Sequence, residues 1–540
     1  MSVAEHLGLN DTVQIGVTSS SQFPTEGGSP GFDRIPFLVA PGKQPNLNTF
    51  VAVLRQDTDR CVHYGRVVAG TEINAFTNPI AMQKDQAYGM PRPSLRSEES
   101  PQVYRVMQIE VLGEIRLAEN GALEFSEPHL LPQTGQAVYE LPAEVVPRLL
   151  GIPSARDSGE GLRLGRIESG NHSVDFFLPI ETIARHIAVL GKTGVGKSYA
   201  AGVLIEELCD KSVPVITFDV LGDTWVTAEE LNGIHVLAVD DDRFRIPYSI
   251  IGLEEFLAFI PNLTHDQREL VAAAYDEVFS KALEMLDEVG RIDIPYERLR
   301  TLIHGIGSET SMQGVATRAV RRVDSALRRT RLLTDRWVDW TEWLASYPMV
   351  NVYIGHLGQR ARNLVVGATA RILQRFRRKN RIPPFVLILD EAHLFLPGGG
   401  DSSPSTTVLR EMIRTARHDS IGVVLLSQSP ASMDKQVLLT CNTRVVFALD
   451  PEDQRVVAGH IGDLAEEVIN RIPRMPRGMA VVTSTADIMR HAAVVRIRER
   501  EKTTHAARTP NLREEVEEWR NRRKESTTST SSSGCENATN

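Results

Sequence analysis

The residues best suited to chemistry lie at positions 191–198, where Gly191, Lys192, Thr193, Gly194, Val195, Gly196, Lys197 and Ser198 spell GKTGVGKS. This matches the G-x4-G-K-[ST] phosphate loop at every defined position. Its glycines let backbone N–H groups curl around a β-phosphate, and a following helix would aim its positive end at the same anion. Lys197 is expected to reach the β- and γ-phosphates, Ser198 to hold Mg²⁺, and Tyr199 to follow on the helix. A chance match would lack structural context, whereas here an apolar run, HIAVL (186–190), precedes the loop and a helical pattern, YAAGVLIEELCD (199–210), follows it.

A second cluster sits in FVLILDE (385–391), an apolar strand ending in two acids. Asp390 is expected to serve the Mg²⁺, and Glu391 to orient or deprotonate an attacking water. Taken alone, two acids could merely mark a strand leaving the core; paired with the phosphate loop, they imply ATP hydrolysis. LDEAH also occurs in two-lobed helicases. Here Lys197 and Asp390 are separated by far more chain than a compact first helicase lobe uses, and too little follows Asp390 for a second one. The two-lobed reading predicts a monomer; setting it aside by this spacing leaves His393 as an incidental packing or capping residue rather than that class's diagnostic histidine.

With one motor lobe per chain, a neighbouring subunit must complete the site. Candidate arginines are Arg185, just before the loop strand, and Arg414 and Arg417, in VLREMIRTARHDS (408–420). An arginine supplied in trans to a γ-phosphate speeds hydrolysis by orders of magnitude, although periodicity alone makes helix arginines solvated. Gln428, at a strand tip, could sense the γ-phosphate or be mere polar punctuation. Two basic runs suit sequence-independent contacts with DNA phosphates, 318–336 with seven arginines and 371–381 with six basic residues and no acid. Each is equally readable as a solvated helix face.

The elements that position these residues divide the chain in three. Residues 1–150 carry short strands, VAVLRQ (51–56), VHYGRVVAG (62–70) and RVMQIEVLGEIR (105–116), which suggest a small β-barrel with a sandwich as competitor. A Pro-rich loop from Asn78 to Pro101 reads as mobile. The boundary falls near 145–165. Residues 151–500 read as an α/β core on a mainly parallel sheet, with strands at 186–190, 213–219, 350–355, 385–391, 422–429 and 443–449. Within it, 253–345 lacks strand signals and shows helical periodicity, as an inserted helical subdomain. The runs 479–483 and 492–497 suggest an edge hairpin. From Glu499 a charged helix and then a Ser/Thr-rich tail (501–540) are expected.

Bulk properties set limits. The 540 residues carry a net charge of −9, so the chain is not a globally basic binder, although a ring can confine basic residues to its channel. Four scattered cysteines suggest reduced cytoplasmic thiols rather than a disulfide frame or zinc cluster. No membrane span or signal peptide is evident.

ARHIAVLGKTGVGKS (184–198), Asp219-Val-Leu-Gly-Asp223, LILDEAHLFLP (387–397), GVVLLSQSPASMD (422–434) and CNTRVVF (441–447) together give a layout that resembles the HerA family of hexameric DNA-translocating ATPases, relatives of the FtsK pumps. The resemblance spans roughly 30–500. It implies a RecA-like P-loop ATPase core with an inserted helical bundle, an N-terminal β-barrel of the ATP-synthase type, a homo-hexameric ring, ATP and Mg²⁺ as cofactors, and double-stranded DNA as track. By position, Lys197, Asp390 and Glu391 match the family's ATPase residues, Arg185 an interface arginine, and Arg417 the trans-acting finger. Where the family commonly reads Gly-Arg-Lys-aromatic-Gly, this chain has Ala416, Arg417, His418, Asp419 and Ser420; the TQ of many relatives is SQ here. The resemblance also implies a separate nuclease or NAD-consuming effector docking on the barrel face, in DNA processing or anti-phage defence. A competing reading makes the ring an ATP-controlled scaffold for an effector enzyme, with little movement on DNA.

Overall fold

The computed structural model describes residues 2–9, 12–20, 30–55, 60–74, 103–154, 159–170, 172–238, 240, 241, 243–335, 337–399, 403–459, 464–504, 513, 516, 517, 519 and 520. The expected loop from Asn78 to Pro101, the Ser/Thr-rich end of the tail, and Arg336 lie outside them.

Seven strands open the chain: β1 (Gln14–Thr18), β2 (Arg34–Val39), β3 (Phe50–Leu54), β4 (Cys61–Asn74), β5 (Val103–Leu117), β6 (Leu123–Ser126) and β7 (Ala137–Glu140). The order β2-β1-β7-β3-β4-β5 closes on itself through a β2–β5 pairing, giving a six-stranded antiparallel barrel with β6 added to β5. This is a barrel and not the competing sandwich. The alternation of side chains along a strand explains its filling. Val51 and Val53 point inward with Ile15, Ile35, Phe37, Val67, Ile109 and Val138, whereas Phe50 and Ala52 pack outward against the next layer.

The remaining strands are β8 (Gly161–Ser169), β9 (His172–Pro179), β10 (Ile187–Leu190), β11 (Val215–Asp219), β12 (Ile234–Leu237), β13 (Ile246–Pro247), β14 (Leu333–Thr334), β15 (Met349–Tyr353), β16 (Phe385–Leu389), β17 (Ile421–Ser427), β18 (Thr443–Val446), β19 (Met479–Thr483) and β20 (Ala493–Ile497). All but β13 and β14 form one sheet in the order β12-β15-β11-β16-β17-β10-β18-β19-β20-β8-β9, parallel from β12 to β18 and antiparallel beyond. The central parallel strands β10, β11, β16 and β17 are buried at every residue, as expected for a sheet covered on both faces.

Three sequence expectations change. The hairpin β19–β20 forms, but it is not at the edge, because β8 and β9 pair beyond it. The inserted helices are joined by a strand, Leu333–Thr334, which pairs with Ile246–Pro247 just before them. The chain from Glu499 to Thr504 is not helical; it lies along the helix Lys197–Asp210.

The longest inserted helix, His265–Glu288, starts at a capping box in which Thr264 and Gln267 satisfy each other's backbone N–H groups. Leu270, Ala274, Val278, Ala282 and Leu286, each four residues apart, form its buried stripe. Helices Tyr296–Glu309 and Gln313–Arg329 pack against it. Between barrel and core, buried Arg66 joins Glu110 (2.6 Å) to the carbonyl of Ala492 (2.6 Å), and Arg34 pairs with Glu467 at 2.5 Å.

Candidate nucleotide site

The loop 191–198 leaves the carboxyl end of β10, and Asp390 leaves the carboxyl end of β16; β17, ending before Gln428, runs between them. Ligands of open parallel sheets bind at such strand ends. The loop is framed from three sides. Gly191 N–H donates to Ser427 O (3.2 Å), Lys192 N–H to Ala448 O (2.9 Å), and Gly478 N–H to Val195 O (3.0 Å). Gly194 (φ +80°) and Gly196 (φ +117°) adopt left-handed backbone angles that side chains disfavour, so the spacing of glycines in the sequence has a conformational cause. Helix Lys197–Asp210 starts directly at the loop and directs its N-terminal dipole there.

Lys197 is buried, and its Nζ donates back to the Lys192 carbonyl at 3.2 Å, across the loop. Burial lowers its pKa, while Glu391, Asp390 and Asp223 oppose that shift. Thr193 Oγ1 donates to Gln428 Oε1 at 2.5 Å, so the predicted sensor touches the loop itself. Ser198 and Tyr199 lie on the first turn of the helix.

Asp390 is 7% exposed, and burial pushes its pKa up to about 7, reinforced by Asp219, Glu391 and Asp223. Its Oδ2 accepts from the N–H groups of Val220 and Leu221, both at 3.3 Å. That loop is wound around Asp219, whose carboxylate accepts from the N–H groups of Gly222 (2.6 Å) and Thr224 (3.0 Å) and from Thr224 Oγ1 (2.8 Å). Thr224 and Asn351, which accepts from Thr224 and Thr217, are further members of this cluster that no sequence motif singles out. The D-V-L-G-D segment after β11 is the nearest signal.

Glu391 has φ +47°, a left-handed conformation whose strain is of order 1–3 kcal/mol for a side-chain-bearing residue, and such strain gathers at functional sites. It is 4% exposed, and its Oε2 lies 3.3 Å from His393 Nδ1. His393 Nδ1 is also 3.3 Å from Ser427 Oγ. Burial pushes its pKa down, with Glu391 opposing. The expectation of an incidental His393 is therefore corrected: it contacts the candidate base.

Among the described residues no group of three His, Cys, Asp or Glu side chains encloses a metal ion. Mg²⁺ is normally held by one or two protein oxygens together with phosphates. A buried carboxylate raised by its acidic neighbours, beside a phosphate loop ending in Ser198, fits that pattern; Ser198 and Asp390 would hold the ion.

The three arginines are not in one place. Arg185 pairs with Asp487, and the following residue, His186 (φ +63°), donates from Nε2 to the Ile413 carbonyl at 2.9 Å, at the end of helix Pro404–Thr415. This ties the turn before the phosphate loop to the element carrying Arg414 and Arg417. Both of those side chains are exposed, with no hydrogen bond or ion pair among the described residues. Asp419 accepts from Gln374 (2.9 Å) and Arg378 (3.0 Å), which holds the 416–420 turn in place. Ser420 stands at φ +54°, in the left-handed region that favours glycine. Ser420→Gly is therefore expected to raise stability by about 1 kcal/mol, the strain of a left-handed residue, read as a higher thermal midpoint.

The two basic runs differ. In 371–381, Arg371 stacks over Phe279 (5.0 Å) and donates to Ile250 O, Arg375 pairs with Asp287, Arg378 with Asp419, and Arg381 caps the carbonyls of Asp287 and Glu288. Its charges serve the packing of the inserted helices. In 318–336, Arg318, Arg321, Arg328, Arg329 and Arg331 are exposed.

The family profile described as "Helicase HerA, central domain" matches residues 162–371. The chain is 25% identical to a probable helicase, MJ1565, of Methanocaldococcus jannaschii, over 71% of this chain and 75% of that one. It is 23% identical to the DNA double-strand break repair helicase HerA of Pyrococcus furiosus, over 87% of this chain and 91% of the relative. Among solved structures, VirB4 of Thermoanaerobacter pseudethanolicus superposes with a TM-score of 0.48 at 15% identity, covering 63% of this chain and 97% of that one.

Proposed function

We propose that this chain, which belongs to the HerA family, hydrolyses ATP at a site shared between neighbouring copies in a hexameric ring and uses it to move along double-stranded DNA. The observation that carries this reading is the convergence of a framed phosphate loop with two buried acids at the carboxyl ends of parallel strands β10 and β16, one strand apart in the same sheet. Lys197 and the loop N–H groups bind and orient the phosphates, and Thr193 with Gln428 lies where a γ-phosphate would be sensed. Ser198 and Asp390 would hold Mg²⁺, which would neutralise charge on the phosphate oxygens. Glu391, with His393 beside it at 3.3 Å, accepts the proton of the attacking water.

Arg417 of one copy completes the site of the next. Its exposure without an internal hydrogen bond or ion pair supports this role, as does the anchoring of its turn through Asp419 and, by way of His186, to the strand before the loop. Arg185 is assigned to the same interface. The exposed arginines of helix Gln313–Arg329 and the residues after it are assigned to DNA phosphates. The barrel's outer face, where Val17 and Leu38 are cross-strand partners and both exposed, is assigned to a separate nuclease or effector protein, in DNA processing or defence. A cytoplasmic location fits free thiols at Cys61, Cys209 and Cys441 and the lack, among the described residues, of any helix long and apolar enough to cross a membrane.

The test is whether duplex DNA stimulates ATP hydrolysis by the purified protein, and whether the slope of binding against salt tracks the assigned arginines. Replacing Arg328, Arg329 and Arg331 by Glu is expected to flatten the log K against log salt slope by roughly one for each DNA phosphate no longer neutralised. Charge reversal within 371–381 should instead lower the thermal midpoint. Identical salt slopes in the first variant and wild type would remove the assignment.

A further inference from the structure

The chain after β20 returns to the phosphate loop. Arg498 pairs with Glu206 and Glu207 on the helix Lys197–Asp210, both at 3.0 Å. Glu206 is fully buried, yet its carboxylate is satisfied by the N–H groups of Glu501 (3.2 Å), Lys502 (3.1 Å) and Thr503 (2.8 Å) and by the Thr503 hydroxyl (2.8 Å). A buried carboxylate ringed by the backbone of one remote segment fixes that segment's path, because removing the segment would orphan the charge. One residue earlier than these contacts, Arg500 reaches the first turn of the helix. Its guanidinium donates to the carbonyl of Ser198 (2.6 Å) and to Thr227 Oγ1 (3.2 Å), and it lies over the Tyr199 ring at 5.1 Å. Its own N–H donates to the Tyr199 hydroxyl at 2.8 Å. Thr504 then binds Glu230 through its N–H (2.6 Å) and hydroxyl (2.7 Å), at the end of the short helix that follows the Asp219–Thr224 loop.

The sequence of the helix accommodates this. Gly202 is buried in mid-helix, where glycine is unfavourable relative to alanine. A Cβ on Gly202 would stand 2.0 Å from Arg500 Cζ and Nη2, so the glycine makes the groove in which the guanidinium lies.

We propose that residues 498–504 form a clamp on the nucleotide site, in which Arg500 is a positioning residue that fixes Ser198 and Tyr199 and so sets the affinity for Mg–ATP. The clamp spans both halves of the site: Ser198 on the phosphate-loop helix, and, through Glu230, the element after the loop that holds Asp390. It rests on the nucleotide reading given above. A charge-assisted hydrogen bond to the backbone at the metal-binding serine acts on binding more than on the proton transfer at Glu391.

The test uses the full chain with ATP and Mg²⁺. Arg500→Ala and Gly202→Ala, the second evicting the guanidinium while favouring the helix, are each expected to raise the half-saturating Mg–ATP concentration roughly tenfold, with kcat within about twofold. Arg500→Lys should fall between them and wild type, and the double variant should be no worse than Arg500→Ala alone. An unchanged half-saturation in folded Arg500→Ala overturns the proposal. If Arg500→Ala fails to fold, Gly202→Ala decides: wild-type half-saturation there overturns it equally. Lys197→Ala, run alongside, separates the two ideas. Loss of nucleotide binding in Lys197→Ala with wild-type behaviour of the other two sinks the clamp alone, whereas intact binding in Lys197→Ala sinks the nucleotide reading.

Discussion

Glu391→Gln is expected to lower ATP turnover by about 10²–10⁴-fold while leaving ATP binding close to wild type. The amide keeps the shape of the side chain, its left-handed backbone and its neighbour His393, but it cannot accept the water's proton. Single-turnover hydrolysis and a filter assay for retained nucleotide measure the two quantities separately. Lys197→Ala is expected to differ in kind. It removes the cation that opposes Asp390, Glu391 and Asp223 in the buried cluster around the loop, so binding is lost with turnover. Glu391→Gln protein that turns over ATP at the wild-type rate would show that the base lies elsewhere.

Arg417→Ala is expected to reduce turnover by about 10³-fold or more, with ATP binding retained, since an arginine finger acts on the charge that develops in the transition state. The geometry distinguishes it from a fold defect. The side chain is exposed and makes no hydrogen bond or ion pair among the described residues, so its removal leaves the turn held by Asp419 unchanged. Mixing gives the sharper result. Arg417→Ala subunits mixed with Glu391→Gln subunits should recover part of the activity, because some junctions then pair an intact arginine with an intact base. Two inactive variants that stay inactive at every ratio would indicate a site completed within one chain. Arg414→Ala serves as the control, on the same exposed surface.

How far the sequence reveals this arrangement follows from where each residue's partners lie. The phosphate loop is legible because its chemistry is local: glycines at fixed spacing meet positive φ at Gly194 and Gly196, and an apolar strand and a helix flank them. The acidic strand is legible because five buried residues precede Asp390. Strands β8 and β9 were not anticipated, since a register shift between Arg163 and Gly165 breaks the alternation that marks a strand. The run 371–381 reads as a DNA-binding face until its partners, at Ile250, Phe279, Asp287 and Asp419, are brought to it by the fold. The segment 498–504 is the extreme case. Its charges read as a solvated tail, and only the arrival of Glu206 and Gly202, nearly 300 positions earlier, gives them a function.

His393 shows the same limit at short range. In sequence it is one letter of a motif shared with unrelated helicases; in space it is the side chain that faces the candidate base.

If ATP hydrolysis at this site drives movement along duplex DNA, the protein should displace a third strand from a duplex carrying a short triplex. Displacement by the wild-type protein is expected to need ATP, Glu391→Gln should give none, and the same duplex should stimulate hydrolysis. Full ATP turnover that is indifferent to duplex DNA, with the third strand left in place, would contradict such movement.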